Sequence, residues 1–517
     1  MGKSRTEYAV KNFTTNTLSS VVNLALNFIS RTVFVYMLGE LYLGVSGLFT
    51  NVLGLLSLAE LGIGSAIGFS LYKPLAEKDT AKIQAIIQFY KQTYRYVAAI
   101  VAVVGLVLMP FLPYIVKEAA DISNLYLIFG IYLINTVSSY LITYKTTILT
   151  ADQKEYRLVN INMIIKAATI GAQILVLIIF RDFVAYLLVE FFVQLIGKLY
   201  LNYYVNRQYP YLSKKAEKTL DKAERKVIFD KVKALALHKV GEVSINQTDN
   251  IITSAFVSVT MVGLVSNFVL VSKAADTFVR AFFNSATAGF GNLIATESKE
   301  KQYQMSKVYD YLGFVFYGWS AIVLYFCLTP FVKLWMGESR LVDGVTIALL
   351  CANYYLTGAR VPLANVKAAA GVFEQDKWVP LVQSVTNIVV SIIGARLWGL
   401  KGIYIGTLVS SMWPNIVRPM VIYKHIFDRK CASYFRVYFW RIAVLLADAI
   451  VIALFLNWLA IKNDFLNLLV SLAVSAVVAG ATIILMSLKT EEFSHVQAMA
   501  QTLVKKVLGR GRDKYAE

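Results

Sequence analysis

Residues 465–488 read Phe-Leu-Asn-Leu-Leu-Val-Ser-Leu-Ala-Val-Ser-Ala-Val-Val-Ala-Gly-Ala-Thr-Ile-Ile-Leu-Met-Ser-Leu, with no charged side chain among them. A helix of this length spans the roughly 30 Å hydrocarbon core of a bilayer while satisfying its own backbone polar groups. Comparable runs recur along the 517 residues, near 15–38, 43–70, 92–114, 123–149, 158–180, 183–204, 234–256, 261–290, 308–330, 344–370, 378–397, 401–423 and 438–459. Fourteen spans are therefore expected. The composition agrees: 57% of residues are hydrophobic and 16% charged, against about 25% in soluble chains.

The net charge of +19 has a membrane explanation rather than a nucleic-acid one. Loops on the side of the N-terminus carry 32 Lys and Arg, whereas the opposite loops carry six. By the positive-inside rule both termini are expected in the cytoplasm, the chain lying in an inner membrane. No cleavable signal peptide is expected, because the polar start leads directly into a full-length span. The expected organisation is an N-terminal six-helix lobe over 1–204, a basic linker over 205–233 and a second six-helix lobe over 234–423. Two further spans over 437–488 and a cytoplasmic amphipathic tail over 489–517 complete it. Within the inner segments, the stripes Ile83, Ile86, Ile87, Tyr90, Tyr94 and Phe493, Val496, Met499, Leu503, Val507 predict helices lying on the membrane surface.

A shift of 219 residues lays Tyr42–Phe49 over Met261–Phe268 and matches Gly44 to Gly263. It also superposes a stripe of Ser20, Asn23, Asn27 and Arg31 on one of Lys239, Glu242, Asn246 and Asn250. Two related halves, each opening on a span with a wet face, are the pattern of transporters whose site lies where the repeats meet.

Ionisable groups deep in spans cost about 2.5–3.5 kcal/mol on insertion scales, so they face a cavity or a partner. They are numerous here: Arg31, Glu60, Lys166, Glu190, Lys198, Glu242, Asp249, Lys273, Asp276, Arg280, Arg360, Lys367 and Asp448. Asp276 can pair with Lys273 or Arg280 on its own helix. Lys145, Lys198, Lys367, Arg418 and Arg441 lie near inner span ends, where snorkelling is expected. Arg31 and Arg360 have no partner within a turn, which favours a cavity. Glu242 and Asp249, with Asn246 between them, share a face and could bind H⁺ or Na⁺.

Several chemistries are missing. There is no phosphate loop, no His-Glu-x-x-His and no Gly-x-Ser-x-Gly elbow, and Cys327, Cys351 and Cys431 have no metal spacing. The sequence therefore predicts neither an enzyme nor a cofactor. Every outer loop is short, the longest covering about 331–343, which leaves no room for the external catalytic loop of a polysaccharide polymerase. Pro362, Pro414 and Pro419 lie within spans, where kinks are expected.

The stretch Gly54-Leu-Leu-Ser-Leu-Ala-Glu-Leu-Gly-Ile-Gly-Ser-Ala-Ile-Gly-Phe-Ser-Leu-Tyr-Lys-Pro-Leu-Ala-Glu-Lys-Asp79 resembles that of Wzx-type polysaccharide repeat-unit flippases. These belong to the multidrug/oligosaccharidyl-lipid/polysaccharide exporter superfamily. The resemblance implies an all-α membrane protein of two pseudo-symmetric six-helix lobes in a V-shaped arrangement, with two added helices. It implies alternating-access movement of undecaprenyl-diphosphate-linked oligosaccharides from inner to outer leaflet, for capsule, exopolysaccharide or O-antigen synthesis. Polysaccharide polymerase and glycosyltransferases are then expected partners. Arg31, Lys166, Arg280 and Arg360 become candidates for meeting the diphosphate and sugars, and Asn27 and Glu60 join them as candidate substrate-binding residues. A peptidoglycan-precursor flippase is the alternative. A multidrug exporter of the same superfamily fits less well, since it usually has twelve spans and binds cations.

Overall fold

A computed structural model describes the backbone of residues 5–60, 62–214, 218–372 and 374–513; side chains at 5–10, 13, 231, 233–246, 286, 288 and 503–513 lie outside the description. Every described element is helical. The chain is an all-α membrane protein of about fourteen spanning helices. It divides into two compact units: Met1–Ser266 with Ala395–Gly399, and Asn267–Gly394 with Leu400–Glu517.

The first unit begins with α1 (Arg5–Leu56), broken into two arms at Gly39, whose φ of 79° suits glycine alone at no steric cost. α2 (Ile63–Glu77), α3 (Thr80–Leu108) and the short α4 (Leu112–Ile115) follow, then α5 (Leu125–Thr143) and the short α6 (Thr147–Ala151). α7 (Glu155–Phe180), α8 (Phe183–Gln208), α9 (Lys222–Phe256) and the first turns of α10 (Val259–Thr296) complete it. Caps set several starts: Asp79 accepts from the Lys82 amide (2.9 Å), Asp182 from Ala185 (2.7 Å), and Asp221 with Glu224 forms a capping box on α9.

The core of this unit forms around one face of α1. Val45, Leu48, Phe49 and Val52 recur at helical spacing and are buried, with the Phe49 ring edge-on to Phe129 at 5.1 Å. The second arm of α1 also meets α10 at glycines. A Cβ at Gly44 would collide with the Val259 carbonyl, and one at Gly263 with the Glu40 carbonyl. The two glycines matched by the 219-residue shift thus face each other at one crossing.

The second unit holds the rest of α10 and α11 (Lys299–Gly313), continued through a π turn into α12 (Trp319–Met336). It then runs through α13 (Gly344–Gly358), α14 (Val361–Ala369), α15 (Val379–Trp398) and α16 (Leu400–Ile422). The added spans are α17 (Ala432–Leu459) and α18 (Asp464–Ser487), and the tail is α19 (Glu491–Asp513). α18 packs along α12, where the Trp319 indole donates to the Ala476 carbonyl (3.0 Å). Phe283 stacks on Tyr317, at 6.1 Å between centroids, in the middle of the core.

All fourteen expected spans fall on helices. Among the described residues, ten stretches are long and apolar enough to cross a membrane. The difference has identifiable causes. The first two spans are the arms of one helix, and most side chains of the seventh lie outside the description. The tenth is broken after Gly358 into the short helices α13 and α14, and the twelfth (α16) is made less apolar by Ser410, Ser411, Asn415 and Arg418. Pro362 does not kink a continuous helix but opens α14, after α13 has ended at Gly358.

The stripe on 83–94 is a correction to the surface-helix expectation. Thr80–Leu108 is one continuous helix, and Ile83, Ile86, Ile87, Tyr90 and Tyr94 are 2–6% exposed because α2 and α5 cover them. An apolar stripe reads the same in sequence whether lipid or protein covers it. The tail differs in a similar way. Phe493 and Val496 rest on the core of the second unit, and Lys307 of α11 pairs with Glu492 at 2.9 Å. Leu503 and Val507 lie outside the described side chains.

Candidate functional site

Within the first unit, α1, α5, α7 and α8 enclose a cavity of about 500 Å³ lined mainly by amides, hydroxyls and isolated charges. The lining alternates with buried apolar faces at helical spacing, so each helix turns one polar strip inward. Gln173 of α7 and Gln194 of α8 each donate to Glu190, both at 2.9 Å. Gln194 accepts from Asn135 (3.1 Å), and Lys198 donates to the Asn135 side chain (2.7 Å) and to Ser138 (3.0 Å). A cation and an anion are therefore joined through two amides rather than by direct contact. Tyr132 closes one wall by donating to Ser46 (2.7 Å).

Two candidates from the sequence, Asn27 and Lys166, line this cavity. Lys166 makes no hydrogen bond or ion pair with a described residue, so its ammonium is available to a ligand. Arg31, one residue beyond the cavity-lining Ser30, instead donates to the Ser266 hydroxyl at 2.5 Å and so ties α1 to α10. Glu60 lies outside the cavity and accepts from the Tyr94 hydroxyl, beside Tyr90. Asp249 is half-buried in α9, whereas the side chains of Glu242 and Asn246 lie outside the description.

The second unit gathers the other arginines. Arg280 donates to Asp276 at 2.6 Å, the same-helix pair anticipated from spacing, and Tyr317 donates to the other oxygen of Asp276 (3.2 Å). Arg360 is different. Its Nη1 is buried with no hydrogen-bond partner, and the charges near it include Arg280 and Arg418. A buried donor left unmade costs about 1–3 kcal/mol, more when charged. Arg280 has Asp276 and Arg418 has Asp376 nearby, so the unmade Nη1 donor of Arg360 is the group left to meet an anion.

The snorkelling expectation fails at all five positions assigned to it. Lys145 donates to Asn206 (2.6 Å), Lys198 to Asn135, and Lys367 to both oxygens of Asp376 (2.5 and 2.6 Å). Arg418 approaches Asp376 at 3.5 Å, and Arg441 donates to Asp310 at 2.6 Å. Most of these partners lie beyond a helical turn in sequence, so spacing along one helix could not reveal them. The amide-linked Glu190–Lys198 pair escaped the site assignment for the same reason. Only the polar stripe on α8 was visible.

An apolar groove of about 490 Å³ also runs in this unit between α12, α13 and the added span α17. Ile322, Cys351, Tyr355, Leu445 and Ala449 are among its walls. No group of three or more metal-ligating side chains occurs among the described residues.

Neither a protein-family model nor a curated protein matches the chain. Solved structures match over most of its length. The lipid II flippase MurJ, in an inward closed conformation, is 12% identical with a TM-score of 0.63 and covers 91% of this chain and 98% of its own. An inward-facing multidrug resistance MATE family transporter of the MOP superfamily is 14% identical with a TM-score of 0.61, covering 79% and 96%. A variant of the Vibrio cholerae MATE transporter VcmN is 14% identical with a TM-score of 0.51, covering 82% and 99%. At these identities the likeness is one of fold, and that fold is shared by transporters and a flippase.

Proposed function

We propose that the chain is a flippase that moves an undecaprenyl-diphosphate-linked oligosaccharide from the inner to the outer leaflet of a bacterial cytoplasmic membrane by alternating access. The observation that carries the reading is the pairing of chemistries in one chain. A cavity of amides and hydroxyls with a lysine unpaired among the described residues suits sugars and phosphate. The unmade donor of the buried Arg360 suits an anion, and the apolar groove along α17 suits a prenyl chain. The greater share of this chain covered by the flippase fold than by the MATE folds, 91% against 79–82%, also favours a flippase over a multidrug exporter. In this reading both termini face the cytoplasm, polymerase and glycosyltransferases supply and consume the cargo, and no covalent chemistry is performed. A peptidoglycan-precursor flippase has the same requirements of headgroup and tail.

The test is reconstitution in liposomes with a fluorescent undecaprenyl-diphosphate oligosaccharide, its transfer read by an impermeant quencher. Wild type is expected to equilibrate the lipid between leaflets. Lys166→Ala and Arg360→Ala are expected to lose at least about tenfold in rate, the scale of one lost charge-assisted contact. Equal transfer by empty liposomes, or by both variants, would reject the reading. Transfer of lipid II but not of the oligosaccharide lipid selects the alternative.

A further inference from the structure

The helix α3 has two faces. One carries the buried stripe of Ile83, Ile87, Tyr90 and Tyr94. The other presents Gln84, Gln88, Lys91, Gln92 and Arg95 to a separate cavity of about 410 Å³, at the end of the first unit that also carries the basic linker. Tyr144 and Lys145, at the end of α5, form its floor, and Leu212, Ser213 and Lys214 close it from the turn after α8. The wall is pinned, because the Gln84 amide donates to the Tyr211 carbonyl.

Among the described residues, four cations line this cavity and no carboxylate does. Lys91 and Lys145 share one ring, each ammonium 5.9 Å from the centroid of Tyr144. Lys145 is only 8% exposed, and its recorded hydrogen-bond partner is the neutral amide oxygen of Asn206 at 2.6 Å. The carboxylate beside the turn, Asp152, is already engaged by the Tyr209 hydroxyl and by Lys154, both at 2.6 Å. Among the described residues, no ion pair reaches Lys91, Arg95, Lys145 or Lys214. Like charges held this close repel unless an anion lies between them, and a half-buried setting weakens the relief that solvent gives.

We propose that this cavity binds an anionic phosphate-bearing headgroup. The glutamine amides and the Tyr144 hydroxyl supply donors for phosphate oxygens, and Arg95 supplies a planar fork. Basic pockets at the ends of spans are suited to such headgroups. The same chemistry is offered by an anionic lipid of the surrounding leaflet and by the diphosphate of a lipid-linked cargo. The site rests on its own geometry, and transport can persist without it.

The test reads the cavity locally. Gln92→Cys places a thiol on its exposed lip, and mass spectrometry follows maleimide labelling of that position in the full chain. One arm adds inorganic pyrophosphate to the detergent-solubilised protein. The other compares nanodiscs of phosphatidylcholine with and without phosphatidylglycerol. Slower labelling is expected in at least one arm. In the Lys91→Gln, Arg95→Gln double variant the half-protecting concentration should rise about tenfold or more, the scale of two lost contacts to a charged group. Lys214→Gln, exposed and outside any helix, repeats the comparison should the double variant misfold. Protection by phosphatidylglycerol alone assigns the leaflet lipid, and protection by pyrophosphate assigns a diphosphate. No protection in either arm, or equal protection in the variants, overturns the site.

Discussion

Asp376 shows how charge is accommodated residue by residue. Its side chain is fully buried, and it holds the Lys367 ammonium and the Arg418 guanidinium at once. Removing one partner of a buried pair leaves an uncompensated charge and costs about 3–5 kcal/mol. Asp376→Asn, which keeps the shape and removes the charge, is expected to lower the unfolding midpoint of the detergent-purified protein sharply. Glu77→Gln, at the exposed Lys73–Glu77 pair, should leave it unchanged. An unaltered midpoint in Asp376→Asn would mean that the cations find other anions. At this scale the sequence revealed identities better than partners. The Asp276–Arg280 pair was legible because it lies one turn apart on one helix. Lys367 was not, since its partner follows the end of α14, across a turn that no periodicity describes.

At the scale of elements, apolar length and period located every span, because a bilayer imposes both. The covering of a stripe was another matter, as α3 and α19 show. The attachment of α19 has a pH dependence. Burial works against the charge on Glu492, but the hydrogen bond and charge of Lys307, with the charge of Arg441, outweigh it and hold the carboxyl below its ordinary value. A carboxyl depressed in the docked state contributes fully above its undocked pKa of about 4.3, and the contribution is lost as pH falls through the lower docked value. Protection of the amides of residues 491–499, taken relative to intrinsic exchange at the same pH, is therefore expected to be high at neutral pH and to fall below about pH 4. In Lys307→Met it should already be low at pH 7. High protection in that variant would mean that Phe493 and Val496 hold the helix without the ion pair.

For the whole molecule, the energy source decides whether transfer is net. The sequence carries no phosphate loop, and in the proposed flippase cycle the drive would be an ion gradient or consumption of the moved lipid. Glu242 and Asp249 lie seven residues apart on α9 and are the proposed ion-responsive pair. Imposed proton or sodium gradients should change the wild-type rate in liposomes, and Glu242→Gln with Asp249→Asn should remove that response while sparing equilibration. An unresponsive wild type rejects ion coupling, and an unimpaired double variant moves it to other residues, Glu190 among them. The all-helical fold of about fourteen spans was legible from the fourteen apolar runs. The candidate site was legible only in part. Asn27 and Lys166 do share a cavity, but Arg31 bonds Ser266 and Glu60 accepts from Tyr94, contacts that depend on how distant helices meet.

The bond between Arg31 and Ser266 joins residues separated by 235 positions. Translation proceeds at about 5–20 residues per second, so roughly 12–50 s pass between the synthesis of the guanidinium and that of its hydroxyl. The glycine crossing of α1 and α10 waits for the same event. Through that interval Arg31 lacks the Ser266 hydroxyl and the Gly44 surface of α1 lacks α10. The nascent chain therefore has a window in which an insertion chaperone or a quality-control protease can recognise it. That window closes when α10 enters the bilayer.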